Sequence, residues 1–286
     1  MTRSADISPL SVLLSRVDAI SDGTPARDTV ASGFPSLDKM LGGGFRHGDL
    51  VVLGGDVARG KSALALAFAI RAAMLRMQPS RVAFVTGEAT VERILERIIA
   101  IEGRARIDDL RNGTLDEVAR ANAGAVALKL RDHLPLVERV AGHSVDAFER
   151  QLDALPEIDL VVIDSMSALV AGRKDLDEEL ATVVRRLKGL ALDHDVAILA
   201  TAPVPHLVAR PDRRPTLDDF GALGAVKQHA DVILALFRQD MYEPARDIQG
   251  ATELFVRKNR NGPTGYVDLY FYAQWMRFED MLDPDR

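Results

Sequence analysis

Three features of this 286-residue sequence predict an α/β fold, with a mostly parallel central sheet flanked by helices and antiparallel strands added at the C-terminal edge. Short apolar strands alternate with helical patterns. A glycine-rich loop sits between one strand and the next helix. Three closely spaced strand-like segments, with a Gly-Pro-containing turn between the last two, occupy the C-terminal fifth of the chain.

Taken in order, residues 8–20 place Leu10, Leu13, Leu14, Val17 and Ile20 at helical spacing before Ser-Asp-Gly-Thr-Pro breaks the pattern. Residues 1–30 are therefore expected to be an amphipathic helix and linker, and 31–286 a single domain. Within it, 49–53 reads as a strand that turns at Gly54 and Gly55, and 61–77 as an Ala/Leu-rich helix. Residues 81–86 form a strand, about 89–102 a helix, and 106–155 a helical and loop-rich stretch. Residues 158–163 and 196–200 are buried strands on either side of a helix over 176–192. Four apolar strands separated by helices imply parallel pairing with both faces covered. The segments 232–237, 253–257 and 266–272 read as antiparallel strands at the sheet edge.

Composition narrows the chemistry. Hydrophobic residues make up 47% and charged residues 27%, which is ordinary for a globular chain. Lys and Arg number 36 against 42 Asp and Glu, a net charge of −6, so any nucleic-acid contact must come from a local patch. The absence of cysteine excludes disulfides, thiolate metal sites and cysteine nucleophiles. No start resembling a signal peptide and no membrane-length apolar run is present, so the expectation is a cytoplasmic protein without a membrane partner. The six histidines are scattered without metal-ligand spacing and read as structural or surface residues.

Gly55, Asp56, Val57, Ala58, Arg59, Gly60, Lys61 and Ser62 fit the phosphate-loop pattern G-x-x-x-x-G-K-[ST], between a strand and a helix as the chemistry requires. Backbone amides of such a loop surround phosphate oxygens, and the helix N-terminus adds a positive dipole end. Lys61 would neutralise the terminal phosphates of ATP and Ser62 would ligate Mg²⁺. Asp164 ends an apolar strand, the place for a carboxylate that holds Mg²⁺ through water; a strand-end Asp can also cap the following turn. Glu88 follows a strand directly and so emerges at the carboxyl edge, where it could activate water. An acid is equally favoured there by the helix that follows.

These residues resemble the RecA-fold motor domain of hexameric replicative helicases of the DnaB type, from about 31 to 279. The resemblance runs through Ser-Gly-Phe-Pro-Ser-Leu-Asp-Lys-Met-Leu at 32–41, the phosphate loop, Glu88 at the family's catalytic glutamate, and Leu-Arg-Asn-Gly-Thr-Leu at 110–115. Most specific is Lys258-Asn-Arg260-Asn-Gly-Pro-Thr-Gly265 with Trp275-Met-Arg-Phe278 after it. It implies a RecA-like ATPase that forms a head-to-tail ring, a hexamer, and acts on single-stranded DNA. Arg260 would be an arginine finger and Lys258 its companion, both reaching a neighbour's nucleotide; without the resemblance they are a solvated basic hairpin. The N-terminal helix would dock on the adjacent subunit.

Three departures from the family are visible. Only about thirty residues precede the motor, so primase recruitment is not implied. Where the family has a Gln able to sense the γ-phosphate, this chain has Thr201 and two prolines, 203 and 205. The segment matching a DNA-contacting loop carries Gly221-Ala-Leu-Gly224 in place of Arg-Glu before a small residue and Gly. Arg210, Arg213, Arg214 and Lys227, with Arg173 and Lys174, are the replacement cations, and Phe220 is the one aromatic there able to stack a base; backbone amides at Gly221 and Gly224 could also grip a phosphate. A RadA- or KaiC-like regulatory ATPase, which shares the Leu-Asp-x-Met-Leu-Gly-Gly-Gly pattern at 37–44, is the alternative.

Overall fold

The computed structural model describes residues 8–22, 28–75, 79–172, 175–204, 210–243 and 248–281. Helix α1 (Pro9–Ser21) precedes β1 (Thr29–Val30), α2 (Pro35–Leu41) and β2 (Phe45–Arg46), and β1 and β2 form a small antiparallel pair. The main body follows as β3 (Leu50–Gly55), α3 (Lys61–Met74), β4 (Val82–Thr86), α4 (Val91–Gly103), α5 (Ile107–Asn112), α6 (Glu117–Leu130), β5 (Leu136–Arg139) and α7 (Val145–Ala154). It continues with β6 (Leu160–Asp164), α8 (Leu176–Asp193), β7 (Ala197–Pro203), α9 (Ala225–His229) and β8 (Val232–Phe237). Three strands close the chain: β9 (Ala251–Asn259), β10 (Gly265–Tyr272) and β11 (Arg277–Asp280).

The nine-stranded sheet runs β11-β10-β9-β8-β3-β7-β6-β4-β5. The central strands β3, β4, β6, β7 and β8 are largely apolar because both faces are covered, and alternate residues feed separate layers. In β3, Val51 and Leu53 pack on the α3 side, while Leu50 and Val52 pack on the α8 side. Helix α3 is buried nearly all round, from Leu64 to Ala73 apart from Arg71, and its alanines allow close approach to the sheet. Phe68 lies edge-on to Phe34 and Phe45 at 5.3 and 5.4 Å, locking the segment around α2 onto this layer. Each such fully buried Leu or Phe contributes roughly 1.5–3 kcal/mol.

The structure corrects the sequence expectation at four places. Strand β8 is parallel to β3, so the antiparallel edge starts only at β9. The loop-rich stretch contains β5, which adds in parallel outside β4. A further strand, β11, closes the opposite edge against β10. Gly54 and Gly55 lie inside β3 and do not turn the chain. They are glycines because of crowding: a Cβ on Gly54 would overlap the Phe220 ring, and one on Gly55 would meet the Leu236 carbonyl oxygen at 3.0 Å.

This close approach yields a prediction. Gly54→Ala should cost about 2 kcal/mol by overpacking, read as a lower urea midpoint at unchanged m value. A second change, Phe220→Leu, should return part of that loss by making room for the added methyl.

A candidate nucleotide site at the carboxyl edge of the sheet

Strands β3, β4, β6 and β7 are parallel, so their carboxyl ends meet along one edge. A cavity of about 480 Å³ opens there. One wall is the loop between β3 and α3, which reverses through left-handed conformations at Ala58 (φ 59°) and Gly60 (φ 101°). A Cβ on Gly60 would also press within 3.0 Å of Phe278. No side chain caps the first amides of α3, so these N–H groups face an incoming anion without an internal competitor.

Lys61 Nζ donates to the carbonyls of Gly55 (2.9 Å) and Asp56 (3.0 Å), folding back on its own loop. Burial lowers its pKa, and the carboxylates of Asp164, Asp56 and Glu88 pull it back up. Asp164, last residue of β6, has its Oδ1 held by two hydroxyls: Ser62 Oγ from α3 at 3.0 Å and Thr201 Oγ1 from β7 at 2.8 Å. Burial pushes its pKa up, and these two donors oppose that shift. Ser62 and Asp164 together present hard oxygens of the kind that suit Mg²⁺, without thiolate or imidazole, so the donor set fits that ion.

Glu88 sits between β4 and α4 with its amide, like that of Ala89, donating to Thr86 Oγ1 at 3.3 and 3.2 Å. Its Oε1 accepts from Ser165 Oγ at 3.0 Å. The start of α4 is capped by Thr90, which accepts from the Arg93 amide, so Glu88 is not needed as a cap and faces the cavity. The structure thus brings Lys61, Ser62, Glu88 and Asp164 into one cavity. Val57, Ala58 and Gly60 also line it, whereas Asp56 and Arg59 do not.

Several lining residues escaped sequence reasoning. Arg97 enters from α4, Ser165 from the end of β6, and Ile101, Phe271 and Met276 supply an apolar side. Arg97 follows Glu88 by nine residues, but only the packed orientation of α4 shows which side it faces.

Lys258 and Arg260 lie at the opposite, amino end of the central parallel strands. Asn259 of β9 pairs with Val232 of β8, which lies beside Val51, whereas the phosphate loop leaves β3 at Gly55. About 13 Å of strand separates the two ends. Lys258 Nζ donates to the carbonyls of Lys227 (2.8 Å), Gln228 (3.3 Å) and Ala230 (2.6 Å), around the C-terminus of α9. Burial lowers its pKa, and the neighbouring Arg260 cation adds to this. Arg260 donates to the Gln228 carbonyl (2.8 Å) and to Asp231 Oδ1 (3.2 Å), yet its side chain is 50% exposed.

The loop cations expected to grip DNA are largely committed within the chain. Arg210 forms a two-pronged pair with Asp219, Arg214 another with Glu253, and Lys227 bonds to Asp218 at 2.8 Å. Arg213 lies over the Tyr242 ring, 5.1 Å from its centre. Phe220 is buried against Gly54, which corrects its expected role as a stacking platform. Gly221 (φ 58°) and Gly224 (φ 78°) shape a tight turn in which the Ala222 amide donates to Asp177 Oδ1 at 3.0 Å, and Leu223 is exposed. Arg173, Lys174 and Pro205 lie outside the described residues. Among the described residues, no group of three His, Asp or Glu side chains is arranged to hold a metal, and no helix is long and apolar enough to cross a membrane.

A family model described as the DnaB-like helicase C terminal domain matches residues 29–280. The replicative DNA helicase DnaB of Leifsonia xyli subsp. xyli is 28% identical over 284 residues, covering 95% of this chain and 60% of that protein. The replicative DNA helicase DnaB of Treponema pallidum is 31% identical over 256 residues, covering 87% and 55%. The chain therefore spans less than two thirds of the length of these curated relatives. Among solved structures, a DnaB-like replicative helicase described with its primase interactions aligns at a TM-score of 0.82 and 24% identity, covering 94% of this chain and 66% of that one. A KaiC-like protein from Pyrococcus horikoshii OT3 aligns at 0.61 and 19% identity, covering 90% and 99%. Both share the fold.

The cavity makes a direct prediction. Lys61→Ala should weaken binding of a fluorescent ATP analogue by about 100-fold or more, because a charge-assisted contact to phosphate is lost. Far-UV circular dichroism should remain unchanged.

Proposed function

The chain belongs to the DnaB-like helicase C-terminal domain family, and on that premise we propose that it is an ATP-hydrolysing motor that assembles as a head-to-tail hexameric ring and couples hydrolysis to movement on single-stranded DNA. ATP-Mg²⁺ binds at Gly55–Ser62. The loop amides and Lys61 take the phosphates, while Ser62 and Asp164 would hold Mg²⁺. Mg²⁺ supplies charge neutralisation at the β- and γ-phosphates. Glu88 accepts a proton from the attacking water as its oxygen bonds to the γ-phosphorus and the bond to the β–γ bridging oxygen breaks, releasing ADP. Ser165 donates to the Glu88 carboxylate and holds it toward the cavity.

The observation that carries the ring is the placement of Arg260. It is half exposed at the sheet edge opposite its own phosphate loop, so the charge it could offer a γ-phosphate serves a neighbouring copy. Head-to-tail contacts of this kind close into rings when the rotation permits. Lys258, with three carbonyl partners, must release some of them to join it. Helix α1 leaves Leu10, Leu13, Leu14 and Val17 exposed, an apolar stripe for the adjacent subunit. The DNA contacts rest on the turn at Gly221–Gly224 and on Arg210, Arg213, Arg214 and Lys227 once their acidic partners give way. The protein would work in the cytoplasm, with no membrane partner.

A second reading, a regulatory ring ATPase that does not unwind duplex, draws on the same ion pairs: Asp219, Glu253 and Asp218 already neutralise three of the four loop cations.

Steady-state ATPase assays with and without single-stranded DNA, at two salt concentrations, separate the readings. Arg260→Ala should lower kcat by about 10³-fold while ATP still binds. DNA should stimulate turnover in the unaltered protein, and the stimulation should fade with salt as phosphate contacts are screened. Turnover that depends on Arg260 and ignores DNA would select the regulatory ring. A full rate in Arg260→Ala would overturn both.

A further inference from the structure

The phosphate loop carries an acid that its task disfavours. Asp56 lies between Gly55 and Val57, and its backbone carbonyl takes a hydrogen bond from Lys61 Nζ at 3.0 Å, which places it at the mouth of the cavity. A carboxylate turned inward there would repel a polyphosphate across a few ångströms. It is turned outward instead. Val57, Ala58, Gly60 and Lys61 line the cavity and Asp56 does not. Its Oδ2 accepts from the Tyr242 hydroxyl at 2.8 Å and lies 3.6 Å from Arg59 Nη2, while its Oδ1 accepts from the Val57 amide at 2.7 Å.

The holders are themselves well fixed. Tyr242 stacks on Phe237, the last residue of β8, with rings 5.6 Å apart and 14° from parallel. The Arg59 guanidinium lies 4.2 Å from the centre of the Tyr242 ring. Arg59 and Asp56 side chains are only 12% and 15% exposed, so the pair is little screened by solvent. Burial also raises the Tyr242 pKa, which keeps the hydroxyl protonated as a donor.

We propose that Tyr242, with Arg59, clamps the Asp56 carboxylate outside the phosphate cavity, making Tyr242 a positioning residue for nucleotide binding. The inference rests on the reading of Gly55–Ser62 as an ATP site. Tyr242 acts through Asp56 and touches no phosphate. Its loss is therefore a loss of affinity, not of the chemical step.

The test is a titration with a fluorescent ATP analogue plus Mg²⁺ at low salt, together with KM and kcat for ATP hydrolysis. It compares the unaltered protein with Tyr242→Phe, Asp56→Asn and the double variant. Tyr242→Phe keeps the ring between Phe237 and Arg59 and removes only the hydroxyl. It should weaken binding by about 5- to 10-fold and raise KM by a similar factor, with kcat within about twofold. Adding Asp56→Asn to Tyr242→Phe should restore binding, because an amide carries no charge to repel phosphate. Tyr242→Phe binding as tightly as the unaltered protein would overturn the proposal. So would a double variant that binds more weakly than Tyr242→Phe, since Asp56 would then be helping to bind. An unaltered protein that fails to bind MgATP at all would remove the nucleotide reading, and this inference with it.

Discussion

Asp164 is a buried carboxylate at the end of a central strand, and two hydroxyls from different elements converge on one of its oxygens. Ser62 brings the first turn of α3 to it, and Thr201 brings β7. A buried acid without such donors would be costly to keep ionised; with them, it ties the helix that follows the phosphate loop to the middle of the sheet. The position of Glu88 depends on the same strand, because the Gly87 amide donates to the Asp164 carbonyl and Ser165 donates to the Glu88 carboxylate. Loop, candidate metal-positioning acid and candidate base are thereby held in one frame set by parallel strands whose ends coincide.

The opposite pole is built the same way around Asp231, at the start of β8. Its carboxylate accepts from the Leu50 amide, from Lys188 and from Arg260. Asp231 thus links β3 to the basic hairpin, as Asp164 links β6 to the loop. A rigid sheet with a phosphate cavity at one end and an exposed guanidinium at the other has the polarity that head-to-tail assembly needs. In the single chain Arg260 rests on Gln228 and Asp231.

Much of this was legible in the sequence where local backbone geometry dictates residue type. Gly60 must adopt a left-handed turn under Phe278, Lys61 and Ser62 open α3, and Asp164 and Glu88 follow strand ends. What could not be read depends on contacts distant in the chain. The direction of β8 is fixed by its pairing with β3 and not by its own apolar residues. Gly54 looks like a turn residue until Phe220 is found packed against it. Arg214 looks like part of a basic run until Glu253, 39 residues on, neutralises it. Thr201 took the place of an expected Gln, yet it bonds Asp164. Asp56 sits in the phosphate-loop pattern like its neighbours, and its outward turn depends on Tyr242, 186 residues away.

The central claim is that two copies of the chain make one working site. Mixing subunits tests it most directly: Glu88→Gln and Arg260→Ala proteins, each inactive alone, are combined before assay. A site formed by an intact Glu88 on one subunit and an intact Arg260 on the next hydrolyses ATP, so the mixture should regain a sizeable fraction of wild-type turnover that falls away on dilution. A mixture as inactive as its components, under conditions where mixed assemblies form, would contradict the account.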